Sequence, residues 1–294
     1  MNELQNLSEV SGAIKALALR AMNGLSPAEQ AYSIARSRTI RPVDYMRCAE
    51  FDAILRTLRI APNTKILDVS SPQWFSLFLA AKYPETTFHY INIVDDELIP
   101  YETIGRVLDL KNLAFQKGDV RGLEFDESTF DKVISISVIE HVYPETDGDL
   151  GALLEIKRVL KPGSELLLTL PFKAKRNIVY MDGPVYERGD QSRNFFAREY
   201  DKEMFDKLMD RSGFTKSDVL FICERRGLFA VDYYEWGPGK NSRLASYSVK
   251  VRRLVERFAR KPIDETLARS YLSVSDEING RVVNIFASLV KAWR

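Results

Sequence analysis

Glu140 and His141 stand side by side in "SVIEHV", at the end of an apolar run. Histidine titrates near neutrality, so His141 suits the task of taking a proton from a hydroxyl or an amine. Glu140 would be a second acid–base group beside it. The competing reading is a turn that merely holds a loop. His89 is the only other histidine in the chain, which excludes a histidine-rich metal site, and no metal is expected. The two cysteines, Cys48 and Cys223, have no metal-like spacing; two thiols in a chain of 294 residues fit a reducing compartment better than a disulfide framework.

The elements that must position this pair alternate. "KILDV" reads as a strand and "WFSLFLAAKY" as a helix. "TFHYINIV" is a second strand, followed by the helical "ELIPYETIGRVLDL". "LAFQKG", "FDKVISISVI" and "SELLLTLPF" are further strands, with the helix "GALLEIKRVL" before the last of these, stopped by "KPG". This rhythm implies right-handed crossovers and a doubly wound, mostly parallel sheet. "DVLFICE" and "VVNIFASLVKA" supply a sixth and a seventh strand, with an insertion over 225–280 between them. Residues 1–60 read as helices. One starts at the capping box "SPAE", with proline at the first helical position, and another is opened by Pro42. The expected organisation is an N-terminal helical cap over 1–60 and an α/β domain over 61–294.

In open parallel sheets ligands sit outside the carboxyl ends of the strands. The residues just after each strand are therefore the candidates: Asp68 to Trp74, Asn92 to Asp96, "GDV" at 118–120 and "SVIEHV" at 137–142. The block "FQKGDVRGLEFDESTFDKVISISVIEHV", with "LLEIKRVLKPGSELLLTLPF" after it, resembles class I S-adenosylmethionine-dependent methyltransferases of the small-molecule type. The resemblance runs from about Lys65 to Phe172, and "REYDKEMFDKLMDRSGF" extends it. It implies a Rossmann-like seven-stranded sheet whose last strand is antiparallel, with S-adenosylmethionine as cofactor. Asp119 would then accept from the adenine amino group and Val120 would flank the ring. Asn92 would stand where an acidic residue normally accepts both ribose hydroxyls. With one acceptor oxygen it keeps only part of that pair. Ser137 would contact the cofactor, and Glu140 and His141 would face the methyl donor. Asp95 and Asp96 are read as caps of the next helix.

The first turn departs from the family. Its pattern is acidic-x-Gly-x-Gly-x-Gly; here Asp68 is kept, but Ser70, Pro72 and Trp74 replace the glycines. Proline locks φ near roughly −65° and has no N–H. Ser71 is then expected to cap a helix with Pro72 at its first position, and Ser70 and Ser71 to stand at the cofactor's methionine end. Trp74 would wall that pocket, fill it, or point into the core between helix and sheet.

Past the fifth strand, residues 172–200 are a candidate lid. Tyr180, Tyr186, Phe195, Phe196 and Tyr200 would floor an acceptor pocket there, and Arg193 and Arg198 would meet an anionic acceptor. "DYYEWGPG" at 232–239 is a second lid candidate. A basic amphipathic helix over 249–261 offers peripheral contact with an anionic membrane; the commoner reading is a solvated face over a core stripe. The formal net charge of +1 gives no case for nucleic acid, and no apolar run approaches a membrane span. A small-molecule acceptor and a cytoplasmic location are therefore expected. Two functions follow: methyl transfer to an oxygen, nitrogen or carbon of that acceptor, or a catalytically inactive relative whose site is closed by Pro72 and Trp74 and which serves as a binding or assembly partner.

Overall fold

The structure is a computed structural model and describes residues 4–186, 192–225 and 262–293. The candidate lid at 232–239 and the basic helix at 249–261 lie outside the described residues. Three helices come first: α1 (Leu7–Met22), α2 (Gln30–Ile40) and α3 (Tyr45–Thr57). The alternating part follows as β1 (Lys65–Val69), α4 (Gln73–Lys82), β2 (Thr87–Asn92), α5 (Ile99–Val107), β3 (Leu113–Lys117), β4 (Phe130–Ile136), α6 (Gly148–Val159) and β5 (Leu160–Pro171). A hairpin of β6 (Asn177–Asp182) and β7 (Arg193–Glu199) leads to α7 (Lys202–Ser212) and β8 (Thr215–Glu224). The described part closes with α8 (Ile263–Tyr271), β9 (Leu272–Ser275) and β10 (Arg281–Val290).

The sheet order is β3-β2-β1-β4-β5-β10-β8-β9. The first five strands in that order pair in parallel, and β10 runs antiparallel between β5 and β8. The seven expected strands are thus present. An eighth, β9, is added at the edge by the inserted segment, so the sheet is not seven-stranded. Residues 172–200, expected as a lid, hold the β6–β7 hairpin; its strands pair only with each other and have no apolar alternation deep enough to mark them in the sequence.

Period-two alternation assigns each strand residue to a face. Ile66 joins the cluster formed with α1, α3 and α4, whereas Leu67 and Val69 join the cluster under α6 and α7. Asp68 falls on the α4 side, where it meets Ser76. The sheet is therefore covered on both faces, as a parallel sheet requires. Residues of α1 and α3 lie in the same apolar cluster as Ile66 and Phe286 of the sheet. Among the described residues no helix is long and apolar enough to cross a membrane.

Two helix starts differ from expectation. Half of the capping box forms, with the Ser26 N–H donating to Glu29 Oε2, but the Ser26 Oγ accepts from Ala28 N and not from Glu29 N, Pro27–Glu29 make a turn and α2 begins at Gln30. Likewise α3 begins at Tyr45, three residues after Pro42.

The loop from β4 into α6 is held tightly at Gly148. A Cβ there would stand 2.3 Å from Val142 O and 2.7 Å from the Tyr143 carbonyl carbon. Backbone rather than a flexible side chain would have to move. Gly148→Ala is expected to cost roughly 2 kcal/mol and to lower the melting midpoint by roughly 5 °C. A thermal melt with an unchanged midpoint would show that the loop gives way freely.

Candidate functional site

A cavity of about 620 Å³ opens at the carboxyl ends of β1 to β4. That size suits a cofactor-sized molecule. Its floor is the turn after β1. Ser70 takes φ +52°, the conformation for which the family uses its first glycine. The Ser70 N–H and Oγ both donate to Ile91 O, at 2.9 and 2.8 Å. Ser71 is buried and does not cap α4. Its N–H donates to Asp68 Oδ1 at 3.0 Å, its Oγ accepts from Ile136 N, and its carbonyl accepts from the Tyr90 hydroxyl. Pro72 takes the cap position itself and α4 starts at Gln73. Burial pushes Asp68 up to about 6, against the pull of hydrogen bonds from Ser76 and Ser71. Asp68 therefore braces the turn from beneath and does not reach the cavity wall.

Trp74 is 3% exposed and lies in the cluster with Phe75 and Phe78 on the α4 face. It is absent from the wall of the cavity. Of the three placements open from the sequence, the structure takes the core.

Asn92 is turned inward to local bonds. Its Oδ1 accepts from Val94 N at 3.0 Å and its Nδ2 donates to Glu97 Oε2 at 3.1 Å. Glu97 ends a 3-10 turn, Asp95–Glu97, and lines the cavity. No sequence signal separates this carboxylate from Asp95 and Asp96, which share its 3-10 turn and were expected as caps; no side-chain cap bond forms there. Across from it, Asp119 and Val120 line the wall after β3. Three N–H donors meet the Asp119 carboxylate, all from Arg121: its backbone N, Nε shared between the two oxygens, and Nη2. These bonds hold its carboxyl below the usual range. Both oxygens are engaged, so an adenine amino group would have to share Asp119 with Arg121. Arg121 Nη1 also donates to Tyr143 O at 3.0 Å, tying the β3 end to the β4 loop.

After β4, Ser137 takes φ +51° and lines the cavity. Its hydroxyl donates to Glu50 Oε1 at 2.5 Å. The same oxygen accepts from Thr169 Oγ1 at 2.9 Å and Asn284 Nδ2 at 3.0 Å. Glu50 is thus the fully buried pin that fastens α3 onto β4, β5 and β10. Its other oxygen holds Arg47 Nη1 at 2.5 Å, and Arg47 lines the cavity. His141 reaches the wall as well. Its Nδ1 lies 2.7 Å from Phe196 O. A carbonyl only accepts, so Nδ1 carries a proton, and in the neutral ring the lone pair is on Nε2. Glu140 is 1% exposed and does not line the cavity; its Oε1 is 3.7 Å from His141 Nε2 and its Oε2 has no partner. Burial pushes Glu140 up to about 8, with the Glu50 carboxylate adding to the rise. A sealed acid that keeps its proton at neutral pH is not placed to take one from a bound ligand.

Of the seven acceptor-side residues, only Tyr186 lines the cavity, with its ring 5.8 Å from that of His141. Tyr180 and Arg193 stack on each other on the β6–β7 hairpin, away from the wall. Arg198 is 1% exposed and donates five hydrogen bonds to the carbonyls of Glu140, Val142, Pro144 and Glu145. It also faces Asp149 at 3.5 Å. Its donors shape the loop that carries His141, so Arg198 is not a receptor for an anion. Phe195, beneath the Arg198 guanidinium, and Tyr200, bonded to Asp149, are buried packing residues. The Phe196 ring stacks edge-on against His141. None of these three lines the cavity.

Residues 79–168 match the family model described as a methyltransferase domain, which bears out the resemblance to class I methyltransferases. No curated protein matches the sequence. Many solved structures share the fold. The [4+2]-cyclase SpnF is 15% identical, with a TM-score of 0.55, over 85% of this chain and 82% of its own. The MccD protein is 14% identical, with a TM-score of 0.51, over 85% and 99%. A SAM-dependent methyltransferase from Methanosarcina mazei is 16% identical, with a TM-score of 0.50, over 80% and 95%. At such identities the likeness shows the fold alone, and the cyclase among these structures shows that the fold does not fix the reaction.

The raised Glu140 makes stability depend on pH in a definite direction. Between its ordinary 4.5 and about 8 the folded chain keeps a proton that the unfolded chain has lost. Its contribution to stability therefore falls as pH rises through that window. Glu140→Gln removes this dependence. Urea unfolding from about pH 5 to about pH 8 is expected to show the variant gaining on the wild type, by at most roughly 1.4 kcal/mol per pH unit. A difference flat across the window would mean that Glu140 ionises normally.

Proposed function

We propose that the protein transfers a methyl group from S-adenosylmethionine to an oxygen, nitrogen or carbon of a small-molecule acceptor. The observation that carries this reading is the open cavity at the strand ends, with a carboxylate, Glu97, fixed on its wall by Asn92. The residues fit the cofactor. Two carboxylate oxygens suit a vicinal diol, so Glu97 would take the ribose that Asn92 alone would hold poorly. Val120 would flank the adenine, with the Asp119–Arg121 pair at its edge. Ser70, Ser71 and Ser137 would stand along the chain that leads from ribose to sulfur. The cofactor supplies a methyl group already made electrophilic by its sulfonium.

The chain's own residues then align and protect the acceptor. Phe196 O fixes the Nδ1 proton, so in the neutral ring the His141 lone pair is on Nε2, where it can hold the acceptor's departing proton. Tyr186 and Tyr143 would cover the acceptor beside it. Most of the rate would come from alignment and exclusion of water, as a small, half-enclosed site allows. Trp74, packed in the core, leaves room for the cofactor, which speaks against an inactive relative with a closed site.

Calorimetry with S-adenosylhomocysteine tests the reading directly. Binding is expected, and Glu97→Gln should weaken it about 10- to 100-fold through the lost charged acceptor. No heat and no thermal shift at millimolar ligand would sink the proposal.

A further inference from the structure

Strands β6 and β7 pair only with each other, and neither supplies a residue to the cavity wall. In their register Val179 faces Ala197 and Tyr180 faces Phe195. One step along β6 is thus two steps along β7, and Phe196 is the extra residue of a β-bulge. A bulge leaves its extra residue outside the ladder and re-aims it, a device common beside active sites. The Phe196 carbonyl meets His141, whose Nδ1 lies 2.7 Å away. The Phe196 ring meets the same imidazole edge-on, with centroids 4.6 Å apart.

The far end of β7 is fastened to the sheet. Tyr200 N–H donates to Pro171 O of β5, Tyr200 O accepts from Lys173 N, and the Tyr200 hydroxyl bonds Asp149 of α6. Between this anchor and the bulge stands Arg198. Its Nε donates to Glu145 O, its Nη1 to Glu140 O and Val142 O, and its Nη2 to Pro144 O and Glu145 O. A guanidinium has five N–H donors, and all five are spent on the loop that carries His141. The side chain is buried, and its charge faces Asp149 Oδ2 at 3.5 Å. Buried carbonyls left without donors are costly, so this path of the loop depends on the guanidinium. Lysine, with three donors on one nitrogen, does not reproduce the fork.

We infer that β7 selects the tautomer of His141: the bulge carbonyl of Phe196 holds the Nδ1 proton, and Arg198 is the positioning residue that keeps the loop against that carbonyl. A neutral imidazole carries one proton on either nitrogen, and the hydrogen bond at one nitrogen decides the state of the other. Glu140 Oε1, at 3.7 Å from Nε2, is too distant to make that choice. The chemical use of the tautomer rests on the methyl-transfer reading above, in which Nε2 holds the acceptor's proton.

The test is nitrogen NMR of the imidazole rings in the full chain, at a pH where they are neutral. Only His89 and His141 contribute, and His141→Gln assigns them. The readout is the ring itself, so it stands apart from donor binding, which calorimetry with S-adenosylhomocysteine decides alone. The wild type is expected to carry the His141 proton on Nδ1; a proton on Nε2 would overturn the inference. Arg198→Lys keeps the charge opposite Asp149 and loses the fork, so the ratio of Nδ1–H to Nε2–H should fall about 3- to 10-fold. Tyr180→Phe removes a different hairpin-to-loop bond, from the Tyr180 hydroxyl to Glu145 Oε2, and should leave the ratio unchanged. His89, on β2 against Phe125 and Phe130, is the internal reference. An unchanged ratio in Arg198→Lys would overturn the role of Arg198. So would an equal shift in Tyr180→Phe, or a shift of His89 together with His141, since either means a general loosening. Should Arg198→Lys fail to fold, Asp149→Asn loosens Arg198 without removing it and should shift the ratio the same way; no shift there would overturn the role equally.

Discussion

The site depends on one constraint: the chain must reverse after β1 without glycine. Ser70 sits in the left-handed region, where a side chain costs roughly 1–2 kcal/mol. Two bonds to Ile91 O and the Asp68–Ser71 contact offset that cost. A buried, hydrogen-bonded Asp68 thus acts as a brace, and Ser76 of α4 completes it. The strained conformation is kept because four neighbours determine it, as such conformations generally require. What the turn gains in rigidity it loses in ligand-binding amides. The rest of the cavity wall has to be read in that light.

A second buried carboxylate does for α3 what Asp68 does for α4. Glu50 gathers donors from three strands and one arginine, so the helix that closes the cavity is pinned by a polar contact and not by apolar packing alone. Buried charge is tolerated here because each oxygen is met by hydrogen bonds, including one from a cation. Glu140, close by, has no such company at Oε2, and remaining protonated is the cheaper solution. Two glutamates within one polar layer thus differ in their hydrogen-bond partners, four donors for Glu50 and none at Glu140 Oε2.

The succession of strands along the chain was legible in the sequence because each of β1 to β5 carries an apolar run bounded by turn residues, and the "GD" and "EHV" turns mark two carboxyl ends; their order in the sheet followed from the resemblance. Asn92, Asp119, Ser137 and His141 accordingly come together on one wall. Other features were not legible, for physical reasons. Periodicity reports which residues of α4 are apolar but not which layer receives them, so Trp74 stayed ambiguous. Glu97 reaches the wall from a 3-10 turn, five residues past Asn92, where no strand or helix period applies. Arg198 and Arg193 look alike as sequence, two arginines in a polar segment. Burial separates them, since backbone carbonyls facing inward can satisfy a guanidinium as fully as an anion can. The β6–β7 hairpin and β9 pair at edges, where burial imposes little pattern.

These features give the cavity a direction. Carboxylates lie toward β2 and β3, where hydroxyl or amino groups of a ligand would donate. A guanidinium and an imidazole lone pair lie toward β4 and α3. The two ends are rigid for different reasons: Arg121 bridges Asp119 to the β4 loop at one, and Glu50 ties Arg47 to three strands at the other. A ligand entering this field is oriented before any reaction, since reversing it would set anion against carboxylate and leave the cation unmatched. The loss of glycine is therefore compatible with a working site, provided orientation has passed from backbone amides to side chains carried by neighbouring elements. Glu97 and Arg47 are charged side chains that neighbouring elements carry to the wall, and neither lies on a strand.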